Sequence, residues 1–128
     1  MNERSGVLVV EDDPDLAGVV RDILESVGYA VDVARNGLDA LLQVERHMPA
    51  VIVLDMLMPV MDGWQFAREY HARYGRASPI IVVTAAEHAR QRAAEISADD
   101  VLAKPFDVAS LVETVRRFAG RPSQSAGS

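Results

Sequence analysis

Three unbroken apolar quartets constrain this chain more than any other feature: VLVV at 7–10, VIVL at 51–54 and IIVV at 80–83. Each is short, rich in β-branched residues and bounded by polar or turn-forming positions, which reads as strand rather than helix. A strand without polar alternation has both faces buried, the condition of a central strand in a parallel sheet covered by helices. Helical patterns fill the intervals. Pro14 suits the first position of a helix, and Leu16, Val19, Val20, Ile23, Leu24 and Val27 follow at i, i+3, i+4 spacing until Gly28. Residues 29–34 (YAVDVA) alternate, as an edge strand with one wetter face would. Asn36-Gly37 turns the chain into a second helical stripe at 38–44, and a third helix is expected at 62–74. A short polar helix at 87–96, a weak strand at 101–103 and a helix at 107–119 complete the pattern; the last carries Val108, Leu111, Val112 and Val115 on one face.

Five strand–helix units in so short a chain predict an α/β fold, a doubly wound five-stranded parallel sheet with helices on both faces. Right-handed crossovers favour strand order 2-1-3-4-5, the flavodoxin-like (βα)5 arrangement. At 128 residues one domain is expected, over residues 1–120. Residues 121–128 (RPSQSAGS) read as a flexible tail or linker stub. No apolar run approaches the ~20 residues of a membrane span, and MNERSG lacks the basic-then-apolar layout of a secretory leader. With no cysteine for disulfides or thiolate metal sites, the expected location is cytoplasmic. A net charge of −6 argues against direct nucleic-acid binding.

In such a sheet, ligands bind beyond the carboxyl ends of the strands, where the strand order reverses. That crevice lies between the first and third strands. The first strand ends in Glu11-Asp12-Asp13, the third in Asp55, the fourth in Thr84 and the fifth in Lys104-Pro105. Two carboxylates about 4 Å apart repel by about 4 kcal/mol at an effective dielectric near 20. A raised pKa or a bound cation relieves that. The donors are oxygens only, which favours a hard ion such as Mg²⁺. Asp13, just ahead of Pro14, reads instead as a helix cap. Lys104 is the single lysine beside twelve arginines. Its compact ammonium suits a phosphoryl oxygen as a point charge.

The stretches VLVVEDDPDL, VIVLDMLMPVMDGW, IIVVTA and AKPF resemble, in order, the signatures of response-regulator receiver domains of two-component signalling, the chemotaxis-regulator type included. The resemblance covers roughly residues 5–119. It implies that Asp55 accepts a phosphoryl group from a sensor histidine kinase or phosphotransfer protein. It implies that Asp12 and Asp55 hold Mg²⁺, with Glu11 acting through water and Leu57 through its backbone carbonyl. Thr84 and Lys104 would take phosphoryl oxygens, and Lys104-Pro105 would be cis. Pro59 and Gly63 would shape the loop after the phosphorylation site. A downstream protein would read the face formed by the fourth helix, fifth strand and fifth helix, including Val101, Pro105 and Phe106. Such a domain is a signalling module that assists its own phosphorylation and dephosphorylation, not an enzyme in the ordinary sense. It acts as a monomer or a phosphorylation-dependent dimer, either alone or as part of a longer regulator.

The chain departs from the family pattern in places. Val101 stands where an aromatic residue is usual, and Ser97 where glycine often is. Thr84 and Lys104 are twenty positions apart, two fewer than usual, which predicts a shortened fourth helix or shortened flanking loops. Leu57 and Ala86 cannot hold an attacking water by a side-chain hydrogen bond, so slow dephosphorylation is expected. Trp64, Met56, Met58 and Met61 are expected to pack the loop and third helix. His47, His71, His88 and the pair Arg116-Arg117 are expected at the surface. The alternatives are a degenerate receiver acting as a phosphorylation-independent binding module, and an Mg²⁺-dependent aspartyl phosphatase. Leu57 lacks the acid that the phosphatase needs. A flavodoxin-like FMN module is disfavoured by the acidic first loop, which would repel phosphate.

Overall fold

The computed structural model describes residues 6–122; the tail expected at 121–128 therefore falls mostly outside the described residues. The elements are β1 (Val7–Val10), α1 (Pro14–Ser26), β2 (Val31–Ala34), α2 (Gly37–Arg46), β3 (Val51–Asp55) and α3 (Gly63–Tyr74). They continue with β4 (Ile80–Ala85), a 3-10 turn at Ala86–His88, α4 (Ala89–Ile96), β5 (Asp100–Lys104) and α5 (Val108–Ala119). The strands form one parallel sheet in the order β2-β1-β3-β4-β5, the expected doubly wound arrangement. The three apolar quartets are buried throughout, on β1, β3 and β4. β2 is an edge strand as its alternation predicted, although its pairing begins only at Val31.

Strand parity divides the core in two. Leu8, Val10, Ile52, Leu54, Ile80 and Val82 pack under α2, α3 and Ile96 of α4. Val7, Val9, Val51, Val53, Ile81 and Val83 pack under α1 and α5, against Leu24, Leu111 and Val115. Each fully buried aliphatic side chain contributes about 1.5–3 kcal/mol relative to an exposed one. Among the described residues, no helix is long and apolar enough to cross a membrane.

The helices begin where side chains can satisfy free backbone N–H groups. Asp13, Asn36, Asp62 and Asp107 each cap a helix with a side-chain oxygen. Asp13 accepts from the Asp15 amide at 3.0 Å, the capping role expected of it. α4 is the exception. It has eight residues, no side-chain cap at its start, and one buried residue, Ile96. Ser97 ends it in the left-handed region at φ 53°, a conformation that glycine adopts more easily. α4 is the shortest of the five helices among the described residues, and the β4–β5 ladder beside it pairs without interruption from Ile81 to Ala85.

Candidate functional site

The parallel strands deliver their carboxyl ends to one edge of the sheet. Glu11 follows β1 and its amide bonds the Ala34 carbonyl at 2.9 Å, so it stays in line with the sheet. Asp55 ends β3 beside Val83, and Lys104 ends β5 beside Ala85. Thr84, half-buried near the end of β4, stands between them in register. Lys104 Nζ lies 3.7 Å from Asp55 Oδ1, an ion pair in which the aspartate side chain is 12% exposed and the lysine 37%.

Glu11, Asp12 and Asp55 bring carboxylate oxygens within 4.8 Å of one another. Burial, with the charges of Asp55 and Asp12 adding to it, pushes the Glu11 carboxyl up to about 7 against the Asp13 amide and Lys104, which act the other way. Burial also raises Asp55, with Lys104 opposing and Asp12 reinforcing the shift. One ammonium does not offset three clustered carboxylates. An oxygen-only, over-acidic donor set fits a hard divalent cation such as Mg²⁺. A cavity of about 470 Å³ lined by Glu11, Asp12, Arg21 and Arg35 leaves the acidic pair open to ions and water.

The loop after Asp55 is tightly fixed. The Gly63 amide bonds the Met56 carbonyl at 2.9 Å. A Cβ on Gly63 would sit 2.8 Å from Met56 Cα and 3.0 Å from the Asp55 carbonyl oxygen, so only glycine fits. The Gly37 amide holds the far side of the loop through the Met61 carbonyl, also at 2.8 Å. Asp62 and Gln65 form a reciprocal capping box at the start of α3. Between these anchors Val60 is forced to φ 68°, with the Met61 amide bonded to the Pro59 carbonyl at 2.7 Å. A positive φ is costly for a β-branched residue, and the strain sits in the loop that carries Asp55. Leu57 is 69% exposed on this loop.

The sequence-predicted residues are not all brought together. Glu11, Asp12, Asp55, Thr84 and Lys104 converge at one edge. The Lys104–Pro105 peptide is cis. Val101 packs against the α2–α3–α4 core, whereas Phe106 packs against the α1–α5 core, so these two lie on opposite faces of the sheet. Arg117 is not merely a solvated helix end, because it donates to Asp100 Oδ2 at 2.6 Å. Trp64 packs on the α2–α3 core as expected, but its indole N–H also donates to Glu95 on α4. No periodicity marks either pair.

A doubly wound sheet that gathers three carboxylates, a threonine and a lysine at its carboxyl edge defines a receiver-type signalling domain. The response regulator receiver domain model matches residues 7–116, and the chain belongs to that family. Phosphoaspartate and Mg²⁺ are typical of its members. The chain is 35% identical over 123 residues to response regulator MprA of Mycobacterium sp. (strain KMS), covering 94% of this chain and 53% of that protein. It thus spans about half the length of that relative. It is 38% identical over 115 residues to a 14.6 kDa protein encoded in the sodA1 3′ region of Leptolyngbya boryana, covering 88% of each. Among solved structures it resembles the receiver domain of sensor histidine kinase PA1611 from Pseudomonas aeruginosa PAO1, at TM-score 0.82 and 35% identity over 91% of this chain and 98% of that one. That structure has a magnesium ion coordinated in its active site cleft.

Proposed function

We propose that residues 1–120 form a phospho-accepting receiver unit in which Asp55 is the phosphoacceptor. The observation that carries this reading is the mostly buried Asp55 carboxylate, 3.7 Å from Lys104 and clustered with Glu11 and Asp12. An Asp55 oxygen attacks the phosphorus of a phosphohistidine. The P–N bond breaks, its electron pair returns to the imidazole, and the phosphoryl group rests on Asp55. Lys104 pairs with one phosphoryl oxygen, and the Thr84 hydroxyl donates to another. Asp12, Asp55 and the Leu57 carbonyl, with Glu11 through water, would hold Mg²⁺, which supplies charge neutralisation when bound. Little covalent work falls to the protein; fixed position and balanced charge do most of it. The locked loop around Gly63 supplies the first, and Lys104 part of the second. The same groups would assist later hydrolysis, which the apolar Leu57 and Ala86 side chains leave slow.

The donor, a sensor histidine kinase or phosphotransfer protein, has a docking surface of matching chemistry. Leu16, Val19, Ile23, Pro105, Phe106 and Val108 line an apolar groove of about 750 Å³ that runs up to Lys104. Val19 and Val108 are more than half exposed there. An apolar helix seated in this groove would bring its histidine beside Asp55. A downstream protein reads the changed surface, with the domain cytoplasmic and either monomeric or dimerising on phosphorylation.

The test is incubation with Mg²⁺ and acetyl phosphate. The wild type should gain an acid-stable, base-labile phosphoryl adduct, and Asp55→Asn should lose it. No adduct on the wild type would leave the domain as a phosphorylation-independent binding module.

A further inference from the structure

Of the five helices among the described residues, α4 has the fewest buried side chains, and it follows the site strand β4 through a single 3-10 turn. It begins at Ala89, one 3-10 turn beyond Thr84 and Ala85. Its start has no side-chain cap and only Ile96 is buried, so its apolar anchorage is slight. What holds it is polar and lies on the outer surface. Trp64 Nε1 on α3 donates to Glu95 Oε1 at 2.7 Å. Gln91 donates to Glu95 Oε2 at 3.1 Å, and Arg92 Nη1 lies 3.6 Å from Glu95 Oε1. The Arg92 guanidinium also covers the Trp64 ring, 4.8 Å from its centroid. The indole bond, with Gln91 and Arg92, holds the Glu95 carboxyl below its ordinary range. Exposed contacts of this kind are individually weak and reversible.

We propose that Trp64, Arg92 and Glu95 form a latch that holds α4 in its resting seat, and that the latch opens when Asp55 carries a phosphoryl group. The proposal rests on the phosphoacceptor reading above. Drawing the Thr84 hydroxyl towards a phosphoryl oxygen pulls on the Ala86–His88 turn. A helix with one buried residue follows that pull more readily than it resists. Opening parts α3 from α4 and bares Trp64, Ala67 and Ile96, which now line a small cleft between the two helices. Coupling of this kind is reciprocal: weakening the latch raises affinity for any ligand that favours the open state.

Beryllium fluoride, a phosphoryl mimic, tests this on the full chain with Mg²⁺. Its binding is followed by fluorine NMR, independently of the helices. Trp64 is the only tryptophan, so its emission reports the latch directly. On binding, Trp64 emission should shift and α4 amides should exchange faster with deuterium. Arg92→Ala and Glu95→Ala should speed α4 exchange about tenfold without ligand and tighten beryllium fluoride binding three- to tenfold. Arg73→Ala removes a surface pair with Glu69 within α3 alone and should change neither. If beryllium fluoride binds the wild type but emission and α4 exchange stay fixed, or if the latch variants bind it no more tightly, the latch is wrong. If it fails to bind the wild type, or binds Asp55→Asn equally well, the phosphoacceptor reading itself fails and the latch falls with it.

Discussion

The two connections that flank the crevice are built to opposite standards. The β3–α3 loop is pinned at Gly37 and Gly63 and closed by a capping box, and it tolerates a strained Val60. The β4–α4 connection ends in an uncapped eight-residue helix with one buried side chain. The first fixes where Asp55, the proposed phosphoacceptor, sits. The second leaves the neighbouring element free to respond. Chemistry needs sub-ångström placement, and signalling needs two states close in free energy; on the proposed reading, adjacent loops at one sheet edge divide the two tasks.

The sharpest way to break this contrast is Gly63→Ala. Its Cβ would overlap Met56 Cα and the Asp55 carbonyl, so the stiff loop must move. A loss of about 4 kcal/mol in urea unfolding is expected, together with a large drop in adduct formation. Only a small loss would show the loop to be softer than its geometry implies. The helices offer the next test. Leu111→Ala in α5 should cost about 3 kcal/mol of global stability, and Ile96→Ala in α4 less, with its main effect on local α4 exchange. Equal global costs would mean that α4 is as integral as α5.

The stiff side also carries a pH signature. The folded Glu11 carboxyl is raised from 4.5 to about 7, so the unfolded chain releases that proton more readily. Metal-free protein should therefore lose stability as pH rises from about 4.5 to about 7, by at most about 3 kcal/mol. Burial raises Asp55 too, which works in the same direction. Adding Mg²⁺ should flatten that slope, as thermal melts across pH with and without the ion would show. A metal-free slope of opposite sign would mean that the carboxylates are already compensated. The smallest effect belongs to Ser97→Gly, which should stabilise by up to about 1 kcal/mol by relieving the left-handed residue after α4. No gain would indicate that the turn holds Ser97 without strain.

Much of this was legible in the sequence because it follows from period and order. Continuous quartets mark strands buried on both faces, and parallel order sends every strand end to one edge. Glu11, Asp55, Thr84 and Lys104 could therefore be grouped across nearly a hundred residues. The latch could not. Trp64 and Glu95 are 31 positions apart on helices whose spacing depends on packing, and neither helix pattern encodes it. The Arg117–Asp100 bond and the positive φ of Val60 escaped for the same reason. Each is set by tertiary constraint rather than by local preference.

The parity of the strands has a consequence for how such a chain can vary in length. Asp55 follows Val53 on the α1–α5 side of the sheet, whereas Thr84 follows Val82 on the other. One residue gained or lost inside β3 or β4 would turn its functional side chain over to the wrong layer. Residues gained or lost in α4 and its turns leave the β4–β5 ladder as it is. Insertions and deletions should therefore be tolerated best in the helical segments, where they leave the proposed site residues in place.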